Sequence, residues 1–247
     1  MSVSPVGRTE KIPLANPQRK FFANTIPAAT IASMRFVVLA LLAPAILLAR
    51  DNFVGAMAGI STLSADARVV GSPPERTSAY KPENGPAIML FAGHHFGDYF
   101  SSQLSYAWNR NAVVLSGTDL TTNSSFDSPA RVTLHSVVAE GMVYFRARSS
   151  RLRPYLSAGP GIVRILAEPT GATRVRGSPP LPASRIDTLQ ISFRVAVGID
   201  YRVQRHVSLR YSFSETIQRN PLSRALQPRG ERNLANFENW WGAAWTF

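Results

Sequence analysis

The chain has 247 residues, 27 Lys+Arg against 15 Asp+Glu, no cysteine, and 45% hydrophobic but only 17% charged residues. The apolar content excludes a disordered chain. Zero cysteine excludes a disulfide scaffold, a Cys-ligated zinc site, a thiol nucleophile and an acylated cysteine anchor. The net charge of +12 points to nucleic acid or an anionic surface as partner. Arginine supplies 24 of the 27 cations, and so low a charged fraction fits an anionic surface better than nucleic acid.

In chain order, residues 1–33 come first, with four prolines and no sustained period. They read as a disordered leader or an over-extended N-terminus. Met34-Arg35 then precede a 14-residue apolar run, FVVLALLAPAILLA, at 36–49. A transmembrane helix needs ~20 residues, so this run fits the h-region of a signal peptide at 34–49. Leu47-Leu48-Ala49 before Arg50 is the candidate cleavage site; Leu rather than Ala at −3 leaves the scissile bond open. A buried core helix is the competing reading, and Pro44 in its middle argues against it. Met34 is then a candidate initiator. Without 1–49 the chain carries 22 cations and 14 acids, a net +8. Export places it where disulfides are allowed, and the fold is expected to stand without them.

After Arg50 the hydrophobic period is two. Leu189, Ile191, Phe193, Val195, Val197, Ile199 and Tyr201 alternate with Gln190, Ser192, Arg194, Ala196, Gly198, Asp200 and Arg202. Val207, Leu209, Tyr211 and Phe213 repeat the pattern against Ser208, Arg210, Ser212 and Ser214. At the end, Phe237, Trp241, Ala243, Trp245 and Phe247 face away from Glu238, Gly242, Ala244 and Thr246. The spacing predicts strands near 53–64, 86–96, 99–115, 130–146, 153–166, 188–202, 206–218 and 235–247. The faces of the second, fourth and fifth are ambiguous. Connections alternate: short turns, then long polar loops at about 65–85, 116–129, 167–187 and 219–234.

That asymmetry is the pattern of an up-and-down transmembrane barrel, with short periplasmic turns and longer outer loops. A soluble barrel would put the large apolar face inward. Eight strands enclose too little room for it, whereas facing lipid there is no such limit. The fold class expected is therefore all-β: an eight-stranded antiparallel up-and-down transmembrane β-barrel at 50–247, preceded by a signal peptide. Tyr99, Phe100, Tyr144, Phe145, Tyr155, Tyr201, Trp245 and Phe247 fall near the short-turn end, where an interfacial girdle would sit.

The last residues, Gly242, Trp245 and Phe247, form G-x-x-aromatic-x-aromatic. This resembles the C-terminal assembly signal of bacterial outer-membrane β-barrels, although Trp240 stands where that signal often has a polar residue. The segments GPAIMLFAGHHFGDYFSSQLSYAWNRN, RPYLSAGPGIVRI and FRVAVGIDYRVQRHVSLRYSF are similar to the small porin-family, OmpA/OmpX-like outer-membrane barrels. The resemblance covers about residues 53–247. It implies an outer-membrane location, assembly by the barrel assembly machinery, and contact with outer-membrane lipids and lipopolysaccharide. It transfers no substrate. No peptidoglycan-binding domain is expected after the last strand, and a monomer is the expected state.

Turning the apolar faces outward places Arg194, Asp200, Arg202, Arg210 and Glu238 inside or near the inner rim, and Glu140 with them if the fourth strand keeps that phase. Asp200 and Arg210 lie at similar distances from the 203–205 turn and can pair. Such charges read either as a gated polar path or as an ion-pair network filling a narrow polar interior. Arg174, Arg176, Arg185, Arg219, Arg224, Arg229 and Arg232 lie in the long loops, where guanidinium forks suit lipopolysaccharide phosphates; solvated loop charge is the plainer reading. Arg146, Arg148, Arg151 and Arg153 crowd one short turn, within reach of phospholipid headgroups.

Chemistry is weakly signalled. His206, Ser212, Ser214 and Glu215 invite comparison with lipid-A-modifying barrels, but eight extended residues separate His206 from Ser214 by ~26 Å. His94 and His95 point to opposite faces and make no metal site alone. The expected role is non-enzymatic, structural or surface-interacting, with no cofactor, no metal and no nucleic-acid partner. A lipid-A-modifying enzyme, a narrow pore for small solutes, and a secreted soluble barrel are the competing readings.

Overall fold

The structure, a computed structural model, describes residues 51–64, 69–70, 76–182, 185–229 and 233–247; the expected leader and signal peptide lie outside the described residues. The strands are β1 (Asn52–Leu63), β2 (Val69–Val70), β3 (Arg76–Pro82), β4 (Gly85–His95), β5 (Phe100–Asp119), β6 (Ser124–Tyr144), β7 (Leu152–Pro169), β8 (Arg174–Arg176), β9 (Ile186–Arg202), β10 (Val207–Arg219) and β11 (Asn233–Thr246). One short helix, α1 (Pro221–Arg224), lies between β10 and β11. Alternating apolar residues bounded by turn-forming sequence give each long strand its two faces.

All pairings are antiparallel. They run β1–β4–β5–β6–β7–β9–β10–β11 and return from β11 to β1. Eight strands thus close a ring, and closure satisfies every ladder that would otherwise face hydrocarbon as an open edge. β3 continues the line of β4 along β5, from Arg76 opposite Asp119 to Pro82 opposite Val113. β8 pairs with β6 above the end of β7, and β2 pairs with β3.

The wall is taller than the alternation implies. The segment expected as a long loop at 116–129 is mostly strand, since β5 runs to Asp119 and β6 starts at Ser124. The expected loop at 65–85 likewise contains β3. With 20 residues in β5, the strand is roughly 60–70 Å long at ~3.3 Å per residue. Only ~9–11 residues are needed to span a bilayer.

The excess height has its own polarity. In the lower wall the outward side chains are apolar and exposed, among them Ile88, Leu90, Phe193, Val197, Ile199, Leu209 and Trp241. In the upper wall Arg110, Arg131, Arg164, Glu168 and Asp187 face out, and the interior becomes apolar. Leu63, Tyr80, Val113, Leu115, Phe126, Val132, Leu134, Val163 and Ile165 form one buried cluster there. The barrel switches from lipid-facing to water-facing logic along the same strands: apolar-out within hydrocarbon, apolar-in above it. The narrow interior expected to be polar therefore carries an apolar cluster at its upper end.

The lower interior also holds large residues, Phe53, Met57, Met89, Phe91, Met142, Tyr144, Tyr155 and Trp240. Tyr144 and Tyr155, expected in the girdle, are buried at 1% and 3% exposure and belong to the inside instead. They fit because glycines stand opposite: Tyr155 faces Gly198, Phe53 faces Gly93, Phe91 faces Gly55 and Trp240 faces Gly59. A Cβ at Gly198 would meet the Tyr155 ring at 2.4 Å. Trp240, the departure from the assembly signal, fills this interior and donates from Nε1 to Ser214 Oγ at 3.1 Å.

Gly242 meets backbone rather than a ring. A Cβ there would lie 2.0 Å from Ala56 O and 2.6 Å from Met57 Cα. Gly242→Val is expected to hold the β1–β11 seam apart at a cost of about 1–3 kcal/mol or more. The check is the fraction of protein migrating as the compact, heat-modifiable form on a detergent gel. A variant that folds to the wild-type fraction refutes the steric account.

Candidate functional site

The interior is organised in three levels. At the lower level, strand register sets Arg210 directly opposite Asp200. Arg210 Nε lies 2.6 Å from Asp200 Oδ1 and Nη2 lies 2.7 Å from Oδ2, a two-pronged pair. Arg210 also donates to Gln103 Oε1 at 2.6 Å and to Tyr144 Oη at 3.1 Å, and Tyr144 donates to Asp200 Oδ2 at 2.9 Å. Its guanidinium lies 4.7 Å from the Phe91 ring centre and 5.2 Å from that of Tyr155, a cation–π cage.

At the middle level Arg194 and Glu238, each 1% exposed at the side chain, approach to 3.5 Å. Arg194 donates to Thr216 Oγ1, Ser105 Oγ and Ser136 Oγ at 3.0, 3.1 and 3.3 Å. Glu238 accepts from Ser214 Oγ at 2.7 Å, Asn236 Nδ2 at 2.7 Å and Asn109 Nδ2 at 2.9 Å. Glu140 is buried without an ion pair among the described residues; it accepts from Ser157 Oγ at 3.0 Å, and from Gln103 Nε2 and Ser105 Oγ at 3.3 Å. Gln103 therefore bridges Arg210 to Glu140, and Ser105 bridges Glu140 to Arg194. One chain of bonds links all five charged residues, so each buried charge has the partners its desolvation demands.

The upper level is the apolar cluster. The loop after β10 folds into the mouth and buries Leu222 at 0% and Leu226 at 1% exposure. Asn220 makes this turn: its Oδ1 accepts from the backbone N–H groups of Leu222 and Ser223, each at 3.1 Å, and Pro221 fixes the first helical position. Asn220 Nδ2 donates to Tyr80 Oη at 2.9 Å, tying the loop to β3.

Outside the interior, Arg174, Arg176, Arg219, Arg224 and Arg229 are exposed. Arg185 lies 3.5 Å from Glu168, and Arg232 lies outside the described residues. At the hairpin tip, burial alone would raise the Asp119 carboxyl, but hydrogen bonds from Arg76, at 2.9 Å, and from the Thr121 and Thr122 amides outweigh it and lower its pKa. At the opposite end Arg148 bonds Asp51 at 2.6 Å and holds that carboxyl below its ordinary range, against a smaller opposing effect of burial.

Gly242, Trp245 and Phe247 lie along the seam. Trp245 points outward and stacks on His206, with 5.8 Å between ring centres. The Phe247 amide donates to Asn52 O at 3.0 Å, joining the chain end to the start of β1.

Catalytic geometry does not assemble around the comparison residues. Ser214 donates to Glu238, and His206 Nδ1 bonds Thr246 O at 2.8 Å, at the short-turn end. A different pair does form: His95 Nδ1 and Ser101 Oγ lie 2.6 Å apart inside the lower mouth. Alternation across the Gly97-Asp98 turn carries the signal for it, since both residues take inward positions. His94 turns to Asn52 instead. Among the described residues no group of three or more His, Cys, Asp or Glu gathers to hold a metal ion.

A family model for the outer membrane protein beta-barrel domain matches residues 36–239. No curated protein sequence matches the chain. Among solved structures, OprG from Pseudomonas aeruginosa is similar at 14% identity and a TM-score of 0.49, over 80% of this chain and 96% of that one. Neisserial surface protein A gives 17% identity and a TM-score of 0.47, over 79% and 97%. Ail, the attachment invasion locus protein of Yersinia pestis, gives 12% and 0.45, over 81% and 100%.

Proposed function

The chain belongs to the outer membrane protein beta-barrel domain family, and from that premise we propose that it is a non-enzymatic barrel, closed to solutes, whose role lies in its outer loops. Its place is the bacterial outer membrane. The observation that carries the closed reading is the three-level interior. An ion moving along the axis would have to pass the Arg210–Asp200 pair, the Arg194–Glu238 network and the cluster holding Leu222. Eight strands leave no spare lumen around those side chains. Planar-bilayer recording of the folded protein is the test. No steady conductance is the expected outcome, and a stable open level would establish the pore reading in its place.

Arg174, Arg176, Arg185, Arg219, Arg224 and Arg229, with Arg232, are proposed to meet lipopolysaccharide phosphates above the outer-leaflet boundary. The exposure of the described members supports this, as does the fit of guanidinium forks to phosphate. Gly242, Trp245 and Phe247 are proposed as the signal for the barrel assembly machinery. Deleting Phe247 is expected to reduce folded protein in the outer membrane several-fold. Wild-type levels in a fractionated membrane would remove that assignment. The non-enzymatic reading is supported by the engagement of Ser214 with Glu238 and of His206 with the Thr246 carbonyl at the opposite end, and is tested by lipid A profiling: altered acylation in a deletion strain would overturn it.

A further inference from the structure

The short-turn mouth, which the general asymmetry of such barrels places in the periplasm, carries a concentration of cation that the closed barrel does not need. Three segments converge there: the turn at 145–151 with the first residues of β7, the last residues of β9 and the turn at 203–206. Arg148, Arg151, Arg153, Arg202 and Arg205 surround a cavity of about 70 Å³ whose inner wall is the Arg210–Asp200 pair. Register brings them together. Arg153 stands opposite Asp200, and the Arg202 amide donates to Arg151 O at 2.7 Å.

The charges in this cavity do not balance. Asp200 is engaged by Arg210, and Asp51 is engaged by Arg148. Arg153 donates to two backbone carbonyls, those of Asp98 and Arg146. Arg202 donates to the carbonyls of Arg148 and Ser149. Arg151 and Arg205 are exposed and form no ion pair among the described residues. Arg153 is 8% exposed and rests 3.8 Å above the Tyr144 ring. A buried guanidinium held by carbonyls, without a carboxylate bonded to it, leaves a desolvation cost that an anion would offset.

We propose that this cavity binds a phosphate group. Its volume of about 70 Å³ leaves room for a tetrahedral oxyanion among the guanidiniums. Guanidiniums arriving from three segments suit an oxyanion that accepts on several sides. A planar carboxylate is satisfied by one fork. The phosphate can come from an inner-leaflet glycerophospholipid headgroup or from free phosphate in the periplasm. The proposal stands apart from the closed-interior reading, because the site lies at the mouth.

The test titrates inorganic phosphate into the whole folded barrel in a maltoside detergent free of phosphate and follows backbone amide resonances. Saturable shifts confined to residues 148–153 and 202–206 are expected, with acetate at equal ionic strength giving none. Arg151→Gln/Arg205→Gln alters only exposed side chains and should weaken binding about tenfold or more, the effect of losing charge-assisted hydrogen bonds. Its heat-modifiable migration reports whether it folds, and either single variant, with a smaller loss, replaces it if it does not. Arg174→Gln/Arg176→Gln, in the outer loops, should bind as wild type does. A second arm adds phosphatidylglycerol to the micelle. If the lipid produces the same shifts and blocks inorganic phosphate, the ligand is a headgroup. If phosphate binds and the lipid does not compete, the ligand is free phosphate. Shifts that acetate reproduces, that never saturate, or that persist unchanged in the double variant would overturn the proposal.

Discussion

Glu238→Ala should lower the unfolding free energy of the barrel by about 3–5 kcal/mol, the usual cost of removing one partner from a buried ion pair. Glu238 is fully buried and accepts from Ser214, Asn236 and Asn109 besides facing Arg194 at 3.5 Å. Truncation removes the acceptor of all three and leaves Arg194 with hydroxyl partners only. Glu238→Gln keeps an acceptor oxygen and loses the charge, so it should cost clearly less than Glu238→Ala. Replacing both partners, Arg194→Met with Glu238→Leu, should recover much of the loss, because the uncompensated charge goes with its partner. Urea titration of protein folded into lipid vesicles, followed by tryptophan fluorescence, gives the ranking. A loss under about 1 kcal/mol for Glu238→Ala would mean that water reaches the pair, since solvated pairs contribute only that much. The closed interior would then lose its support.

Leu222→Asp is the second large effect expected. Leu222 is completely buried in the upper cluster with Leu226, Leu234 and Tyr80, and the described members of that cluster are all apolar or aromatic side chains without a cation. Truncating a buried leucine costs about 2–5 kcal/mol by lost burial and cavity formation alone, and burying a charge adds to that. The strand ladders below do not depend on α1, so the expected response is local: the loop leaves the mouth and the barrel stays closed. Arg224 and Arg229 are the natural reporters, because trypsin should cut the variant after them while sparing the folded wall. The gel pattern should show a nicked species that still migrates as heat-modifiable. Resistance equal to wild type, or loss of the barrel together with the loop, would each contradict a plug that docks separately.

The parts of the fold legible in the amino-acid order are those that lipid and water write as a period. Leu189 to Tyr201 on one face and Ser192 to Asp200 on the other locate a wall strand and its direction, and this holds for β9, β10 and β11. β4, β6 and β7 show no clear two-face pattern in sequence, for a physical reason. Their inward positions hold Met89, Phe91, Met142, Tyr144 and Tyr155, as apolar as the residues facing lipid. Opposite glycines make the room, and opposition is a matter of register. The strands at 76–82, 116–119 and 124–129 are hidden in the residue order for a related reason. Above the membrane the apolar face turns inward, so the expected outward stripe is missing just where the strand continues.

The candidate interior divides the same way. That Arg194, Asp200, Arg210 and Glu238 share the inner side follows from strand parity alone. The Asp200–Arg210 pairing follows from parity plus the length of one turn. That Glu140 reaches no arginine directly among the described residues, and joins the others through Gln103 and Ser105, depends on side-chain reach across a closed ring. The burial of Leu222 and Leu226 is likewise a tertiary decision, made when Asn220 turns the chain back into the mouth. The membrane barrel is legible in the residue order, because a two-residue period with one lipid-soluble face has few other solutions. Only the closed ring decided what fills it, because each inward side chain packs against residues on strands distant in sequence.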